Sequence, residues 1–582
     1  MPIADILMPM YIDVVPNRNS RPAILLRKAK RVGKKIVKTT LENLTDWPQE
    51  KISALQALLR GETLVPKDSI FTIEKTTPHG HIEAVTGVIK KLKLDTLISA
   101  TRCRQRDLIL AMLIQRLIHP CSKLATTRLW HSTTLAEVLS VEDADSDELY
   151  NALDWLLQRQ PDIEKKLAKR HLTEGALVLY DVSSSYYEGH TCPLIAYGHN
   201  RDGKEGMPII VYGVMTDQEG RPLAMEVYPG NTGDPTTVVD QVEKLRGRFG
   251  LSRLVLVGDR GMLTETKIDT LREYPGIGWI SALKSRRIRK LVEEGHLQLS
   301  LFDTRNLAEI TSEDYPGERL IACMNPLLAE ERRRKREDLL AATEKHLLKI
   351  ATEVKRRSKQ PLTESEIGMK VGKVLNRYKV GKHLTLTIAD GLFQWERNVI
   401  SIEREAELDG IYVIRTSEPK ERISADNTVR HYKSLSHVER AFRCLKGMDI
   451  MIRPIRHSTE DHVRAHVFLC MLSYYVEWHM RKALAPVLFH DEELDEQRMR
   501  RDAVAPAKPS KSAQDKKKSH MTGDGYPVHS FDTLLEELGT RCRNRCRINL
   551  DSNGHVYHEV TEFTPFQKRV FYLLDLLPVK NT

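Results

Sequence analysis

Two aspartates and a glutamate occur where metal-assisted phosphate chemistry would need them. The segment ALVLYDVSSSYY puts Asp181 directly after a short apolar strand, and LVLVGDRGM does the same for Asp259. One aspartate at a strand end is ordinarily a turn residue whose side chain accepts backbone hydrogen bonds. A pair is harder to explain that way. In mixed α/β sheets sites gather at strand carboxyl ends, and two adjacent parallel strands would bring such carboxylates together. Carboxylates that close repel unless a cation lies between them. Magnesium suits the position, being a hard ion that takes oxygen ligands and keeps some of its water. The glutamate is Glu439, in HYKSLSHVERAFRCLK (431–446). At about 100° per residue, Tyr432, Leu435, Glu439 and Lys446 fall within roughly 60° of one helical face. Val438, Ala441, Phe442 and Leu445 make the neighbouring apolar stripe. Glu439 and Lys446 are seven residues apart, too far for a helical ion pair, so a salt-bridged surface does not explain their common face.

Around the aspartates the elements read clearly. Residues 176–180 form a buried strand, 206–231 a hairpin turning at Asp217–Gly220, 236–250 a helix, 251–259 a strand, 264–276 a helix and 278–284 a strand. This β-β-β-α-β-α-β order predicts a mixed sheet with helices packed on it. Upstream, residues 10–45 read as short strands or a hairpin with a basic cluster at Arg27, Lys28, Lys30, Arg31, Lys34, Lys35 and Lys38, and residues 83–172 read as helical. Downstream, 285–411 opens with the basic run KSRRIRK and continues in long charged helices, as an insertion would. The stretch 492–525 has the composition of a disordered linker.

With these elements in place, the chain resembles the DDE transposases of bacterial insertion sequences, in the branch whose last catalytic helix carries Tyr-x2-Arg-x3-Glu-x6-Lys. Here the segment is Tyr432-x2-Leu435-x3-Glu439-x6-Lys446, with leucine where the signature has arginine. YDVSSSYYEG, GNTGD (230–234), VGDRGM, MIRPIRH (451–457) and DHVRAHVFLCML (461–472) strengthen the likeness, which covers about 171–480. The resemblance implies an RNase H-like fold in which Asp181, Asp259 and Glu439 hold two magnesium ions, with manganese able to replace them. It implies that Lys446 contacts a phosphate and that Tyr432 lies against the DNA strand. Lys433 or Arg443 would stand in for the missing arginine. Its partners would be double-stranded DNA, both the element's terminal inverted repeats and the target, engaged by a dimer or larger assembly.

The implied organisation is an N-terminal region for DNA ends (1–170), a catalytic domain in two parts (171–290 and 411–485) around an insertion (291–410), a charged linker (486–525) and a small C-terminal region (526–582). Composition agrees with a polyanionic partner, since 90 Lys and Arg outnumber 79 acids for a net charge of +11. Ribosomal and membrane-surface proteins share that bias. Lys284, Arg286 and Arg287, in the basic run 284–290, are candidates for phosphate contacts. Eight scattered cysteines suit a reducing cytoplasm. No signal peptide is read in residues 1–15, and the longest apolar run, 467–476, is too short to span a bilayer. Two further patterns have a bland and a functional reading. Cys542, Cys546, His555 and His558 have an arguable zinc spacing that matches no common finger. Trp395 could stack on a displaced base or fill a core. Rival functions are a nuclease that cuts without joining and a catalytically silent DNA-binding protein.

Overall fold

Eight strands form the central sheet of the computed structural model, which describes residues 10–18, 20–33, 35–62, 71–303, 305–549 and 555–578. Lys34 of the basic cluster and residues 1–9 lie outside the described residues. The strands are β1 (Ala176–Tyr186), β2 (Ile209–Asp217), β3 (Pro222–Pro229), β4 (Leu254–Val257), β5 (Ile277–Ala282), β6 (Leu307–Ile310), β7 (Arg319–Met324) and β8 (Ile411–Thr416). Their spatial order is β6-β7-β8-β5-β4-β1-β2-β3. The hairpin strands β1, β2 and β3 pair antiparallel. β4 and β5 pair parallel to β1 and to each other. Order 3-2-1-4-5 with the second strand reversed is the RNase H-like arrangement.

Parallel pairing requires crossovers, and the two amphipathic helical segments supply them. Thr237–Glu243 and Glu265–Arg272 pack Val238, Val242, Ile268 and Leu271 on the face made by Val178, Tyr180, Leu254 and Leu256. The other face, carrying Leu179, Val255, Val257 and Ile280, meets the helices Leu435–Lys446 and Glu460–Ala483. The tight β2–β3 turn also meets this helical layer. Asp217 accepts from the amides of Glu219 and Arg221, and Gly220 takes φ +85°. A Cβ at Gly220 would come within 2.7 Å of His437 on the Glu439 helix.

Two expectations are corrected. The segment after residue 285 is not wholly set apart from the sheet, because β6, β7 and β8 extend it antiparallel from β5. Only its middle builds a separate core, from the helices Pro326–Arg356 and Glu364–Tyr378 and the hairpin Leu384–Arg397. Nor is 492–525 without structure. It carries helices Leu494–Arg500 and Lys511–Ser519, and between them Ala503 and Val504 enter the main apolar core while polar contacts hold the rest. Lys516, 5% exposed, donates to the carbonyls of Ala485 and His490 and to Glu492.

By packing, the chain divides into two units, Met1–Thr77 with Cys542–Thr561, and Pro78–Arg541 with Glu562–Thr582. The first holds the antiparallel sheet Tyr11–Val15, Ala23–Val32, Lys35–Asn43 and a hairpin Cys542–Ile548 with Val556–Val560. The second holds the central sheet. Among the described residues no single helix is long and apolar enough to cross a membrane.

Candidate active site

Parallel pairing makes neighbours of the strands that precede or carry the two aspartates. β1 pairs with β4 from Ala176↔Leu254 to Leu179↔Val257. Asp181 and Asp259 each stand two residues beyond the last pair, Leu179↔Val257. Beyond Val257 the chain stays tied to β5, since Gly258 donates to Ile280 O and Ser281 Oγ to Asp259 O. By alternation both aspartates lie on the face that carries Leu179, Val255 and Val257, the face covered by the Glu439 helix. Asp181 is half-buried and Asp259 exposed. Burial pushes the Asp181 carboxyl up to about 7. The Val182 amide and Arg201 pull it down, while Asp259 and Asp234 push it further up. The turn role expected of a lone aspartate is also present, because Asp259 Oδ1 accepts from Gly261 N at 2.9 Å and Met262 N at 2.7 Å.

The stretch 431–446 is two helices, Ala425–Lys433 and Leu435–Lys446, broken at Ser434. Val438, Ala441, Phe442 and Leu445 are buried as the stripe predicts, with Phe442 against Tyr212 of β2 at 5.9 Å. Glu439 stays exposed. Tyr432 is half-buried. Its phenol is pushed up to about 12 by burial first and then by the charges of Asp259, Glu439 and Asp181, with Arg260 opposing.

The donor set is all oxygen, and one of its carboxyls is held near neutrality by burial beside a second carboxylate. Such a set fits magnesium. The one group among the described residues whose three ligand atoms lie mutually within 4.8 Å is instead Cys444, Asp449 and Glu477. Arg481 fills it, with 2.5 Å to Glu477 and 2.9 Å to Asp449, so it is a neutralised ion cluster. Asp181, Asp259 and Glu439 stand further apart than that.

Several cations are already engaged. Lys446 was expected at a phosphate, but its ammonium donates to Ser184 O at 2.6 Å and to Asp202 at 3.0 Å. The reason is an open strand edge. β1 runs on to Tyr186 while β4 leaves it after Leu179, so the polar backbone beyond needs other partners. Asp202 takes the Tyr186 amide, Lys446 takes the Ser184 carbonyl, and Arg453 completes the ion cluster at 2.5 Å from Asp202. Lys433 is equally engaged, on the carbonyls of Ala503, Val504 and Ala505. Arg443 and Lys284 are exposed. Arg287 pairs with Glu265. Arg286 joins Arg260, Arg289, Lys335 and Lys379 around a cavity of about 590 Å³ that begins next to Asp259.

Trp395 stacks on Phe393 within the small core of the insertion, its bland reading. The zinc pattern does not converge. Cys542 and Cys546 sit four positions apart on one strand, about 13 Å, and His558 is opposite Arg545. Sequence reasoning missed Arg201, Asp202 and Asp234. GNTGD had flagged the last of these, while GHNRDG, the loop carrying the other two, went unread.

The family model for the transposase DDE domain matches residues 189–476. Asp259 and Glu439 lie inside that match, and Asp181 lies just ahead of it. No curated protein matches the sequence. Among solved structures, a cryo-EM structure of a piggyBac transposase synaptic complex with hairpin DNA is similar at 10% identity and a TM-score of 0.34, covering 78% of this chain and 77% of that one. So loose a likeness carries no argument.

Proposed function

Starting from a chain that carries a transposase DDE domain, we propose that this protein cuts DNA at the ends of its own insertion sequence and joins them to target DNA. It would do so in the cytoplasm, with magnesium held by Asp181, Asp259 and Glu439. The observation that carries the reading is the parallel pairing of β1 with β4 as far as Leu179↔Val257, two residues short of Asp181 and Asp259, on the face covered by the helix that bears Glu439. Bound there, divalent ions would lower the pKa of the attacking hydroxyl and stabilise the leaving oxygen. In cleavage the oxygen of water bonds to phosphorus, the P–O3′ bond breaks, and the 3′ oxygen takes up a proton. In joining, that 3′ hydroxyl attacks a target phosphate in the same way.

The protein's own groups have separable parts in this. Asp181 and Asp259 gather the negative charge that draws in the cations. Tyr432 packs at the rim of the three acids, where it would line the strand being cut. The cavity of Arg260, Arg286, Arg289, Lys335 and Lys379 would carry the flanking duplex by its phosphates. Residues 1–170 would recognise the ends, and paired ends would call for two or more copies of the chain.

Mixing wild type and Glu439→Gln with labelled duplex bearing the gene's flanking repeats, in magnesium or EDTA, tests the proposal. Expected is magnesium-dependent nicking at the repeat boundary by wild type alone, with both proteins retaining the DNA. Equal cleavage by both would remove Glu439 from the site. Cleavage without any strand-transfer product would favour a nuclease, and retention without cleavage a silent DNA-binding protein.

A further inference from the structure

A guanidinium that the metal site itself does not account for lies on a loop bound to β1, the strand that carries Asp181. Arg201 belongs to the loop after β1, and the open edge of β1 fixes that loop. Ser184, fully buried, accepts from Arg201 N at 3.1 Å and donates to His199 O at 3.0 Å. The next residue, Asp202, is clamped by Tyr186 N, Lys446 and Arg453. Arg201 is therefore pinned by its own amide at Ser184, three residues along β1 from Asp181, and through its neighbour Asp202 at Tyr186, five residues along.

Its side chain is held as well. Nη2 contacts both carboxylate oxygens of Asp234, at 2.7 and 2.5 Å. Asp234 comes from the loop after β3, and glycines let the two loops touch. A Cβ on Gly230 would lie 2.1 Å from Ile209 O and 2.5 Å from Ala196 O, and one on Gly198 would lie 2.1 Å from Gly230 O. The GNTGD motif thus combines a close approach at its first residue with an acid at its last. Among the described residues Nε and Nη1 of Arg201 make no hydrogen bond, and its side chain is 22% exposed. A guanidinium gripped on one nitrogen, with donors to spare beside paired carboxylates, is arranged to hold an anion that the carboxylates alone would repel.

We propose that Arg201 is a substrate-contacting residue of strand cleavage, which binds a nonbridging phosphate oxygen of the DNA strand at Asp181 while Asp234 holds it in place. The inference rests on the strand-cleavage reading above.

The test uses full-length protein and duplex bearing the gene's flanking repeat, with a phosphorothioate diastereomer at the mapped nick. Arg201→Ala should lower the cleavage rate at saturating DNA about a hundredfold, with affinity changed less than about threefold, because a positioned contact acts chiefly on the reacting state. Arg201→Lys should recover part of the rate, and Asp234→Asn should lose about tenfold. The phosphorothioate penalty should shrink in Arg201→Ala. The exchanged pair Arg201→Asp with Asp234→Arg restores the ion pair between the loops, and it should stay as slow as Arg201→Ala. Recovery of rate by the exchange would make the pair structural and overturn the proposal, as would an unchanged phosphorothioate penalty. Asp259→Asn run alongside separates the two readings. A wild type that nicks while Asp259→Asn does not keeps strand cleavage standing whatever Arg201 does, whereas a wild type that never nicks overturns both.

Discussion

Asp181→Asn should stabilise the metal-free protein and remove its stabilisation by magnesium. The carboxyl is held at about 7 against an ordinary 3.8, by burial first and with Asp259 adding to it. The folded protein therefore binds this proton more tightly than the unfolded chain does. Stability linked to it is complete below about pH 3.8 and is lost as pH rises to about 7. A gap of that size is worth roughly 4 kcal/mol when fully expressed, and relaxation around a half-buried group would reduce it to roughly 2 kcal/mol. Asparagine keeps the shape and can keep the acceptor that takes the Val182 amide, so little else is lost. Thermal unfolding followed from about pH 4 to about pH 8 in EDTA should show wild type and variant converging at the acid end. Toward neutrality the variant should gain by several degrees. Millimolar magnesium should then raise the wild type at about pH 8 and leave the variant where it was. Equal melting of the two at that pH in EDTA would mean Asp181 carries no uncompensated charge. Equal magnesium shifts would put the ion elsewhere.

Three further outcomes are expected. Asp202→Asn leaves Lys446 and Arg453 facing each other without their acid and should cost about 3 kcal/mol in urea unfolding. Adding Lys446→Met should return part of that loss. Arg286→Ala should flatten the logarithmic salt dependence of duplex binding by about 0.9 if the arginine meets one phosphate; an unchanged slope would take it off the DNA path. Lys516→Met strands two carbonyls and Glu492 and should cost about 2 kcal/mol, exposing 501–511 to limited trypsin digestion in the variant only.

The sheet was legible because its signals are local. Apolar runs of strand length, a turn at Asp217–Gly220 and helices ending at glycine fix β1 to β5 without long-range information. The adjacency of the strands that carry or lead to Asp181 and Asp259 followed from one topological step, parallel pairing. What was not legible was the partner of each cation. Lys446 and Lys433 stand where a DNA contact would be expected, yet each is engaged by backbone carbonyls supplied from distant sequence, Ser184 in one case and Ala503–Ala505 in the other. The same blindness misjudged 492–525. Its composition is too polar to build a core of its own, but Ala503 and Val504 join the main core and Lys516 satisfies buried carbonyls, and hydropathy registers neither.

These engaged cations differ in whether DNA could release them. Asp202 is fully buried, so drawing Lys446 away to a phosphate would leave a carboxylate in the interior with only Arg453 to balance it. The loss would be a few kcal/mol by the usual cost of breaking a buried pair, more than a single phosphate contact returns. Asp234 is a third exposed. Water can solvate whatever Arg201 gives up there, and the guanidinium need give up nothing, because its remaining nitrogens are available. The burial of the acid, not the identity of the base, therefore separates the cations that hold the fold from those that can meet the substrate. By that criterion Lys446 fixes the Glu439 helix to β1, and the charge that answers the phosphate comes from Arg201 and the open basic cavity.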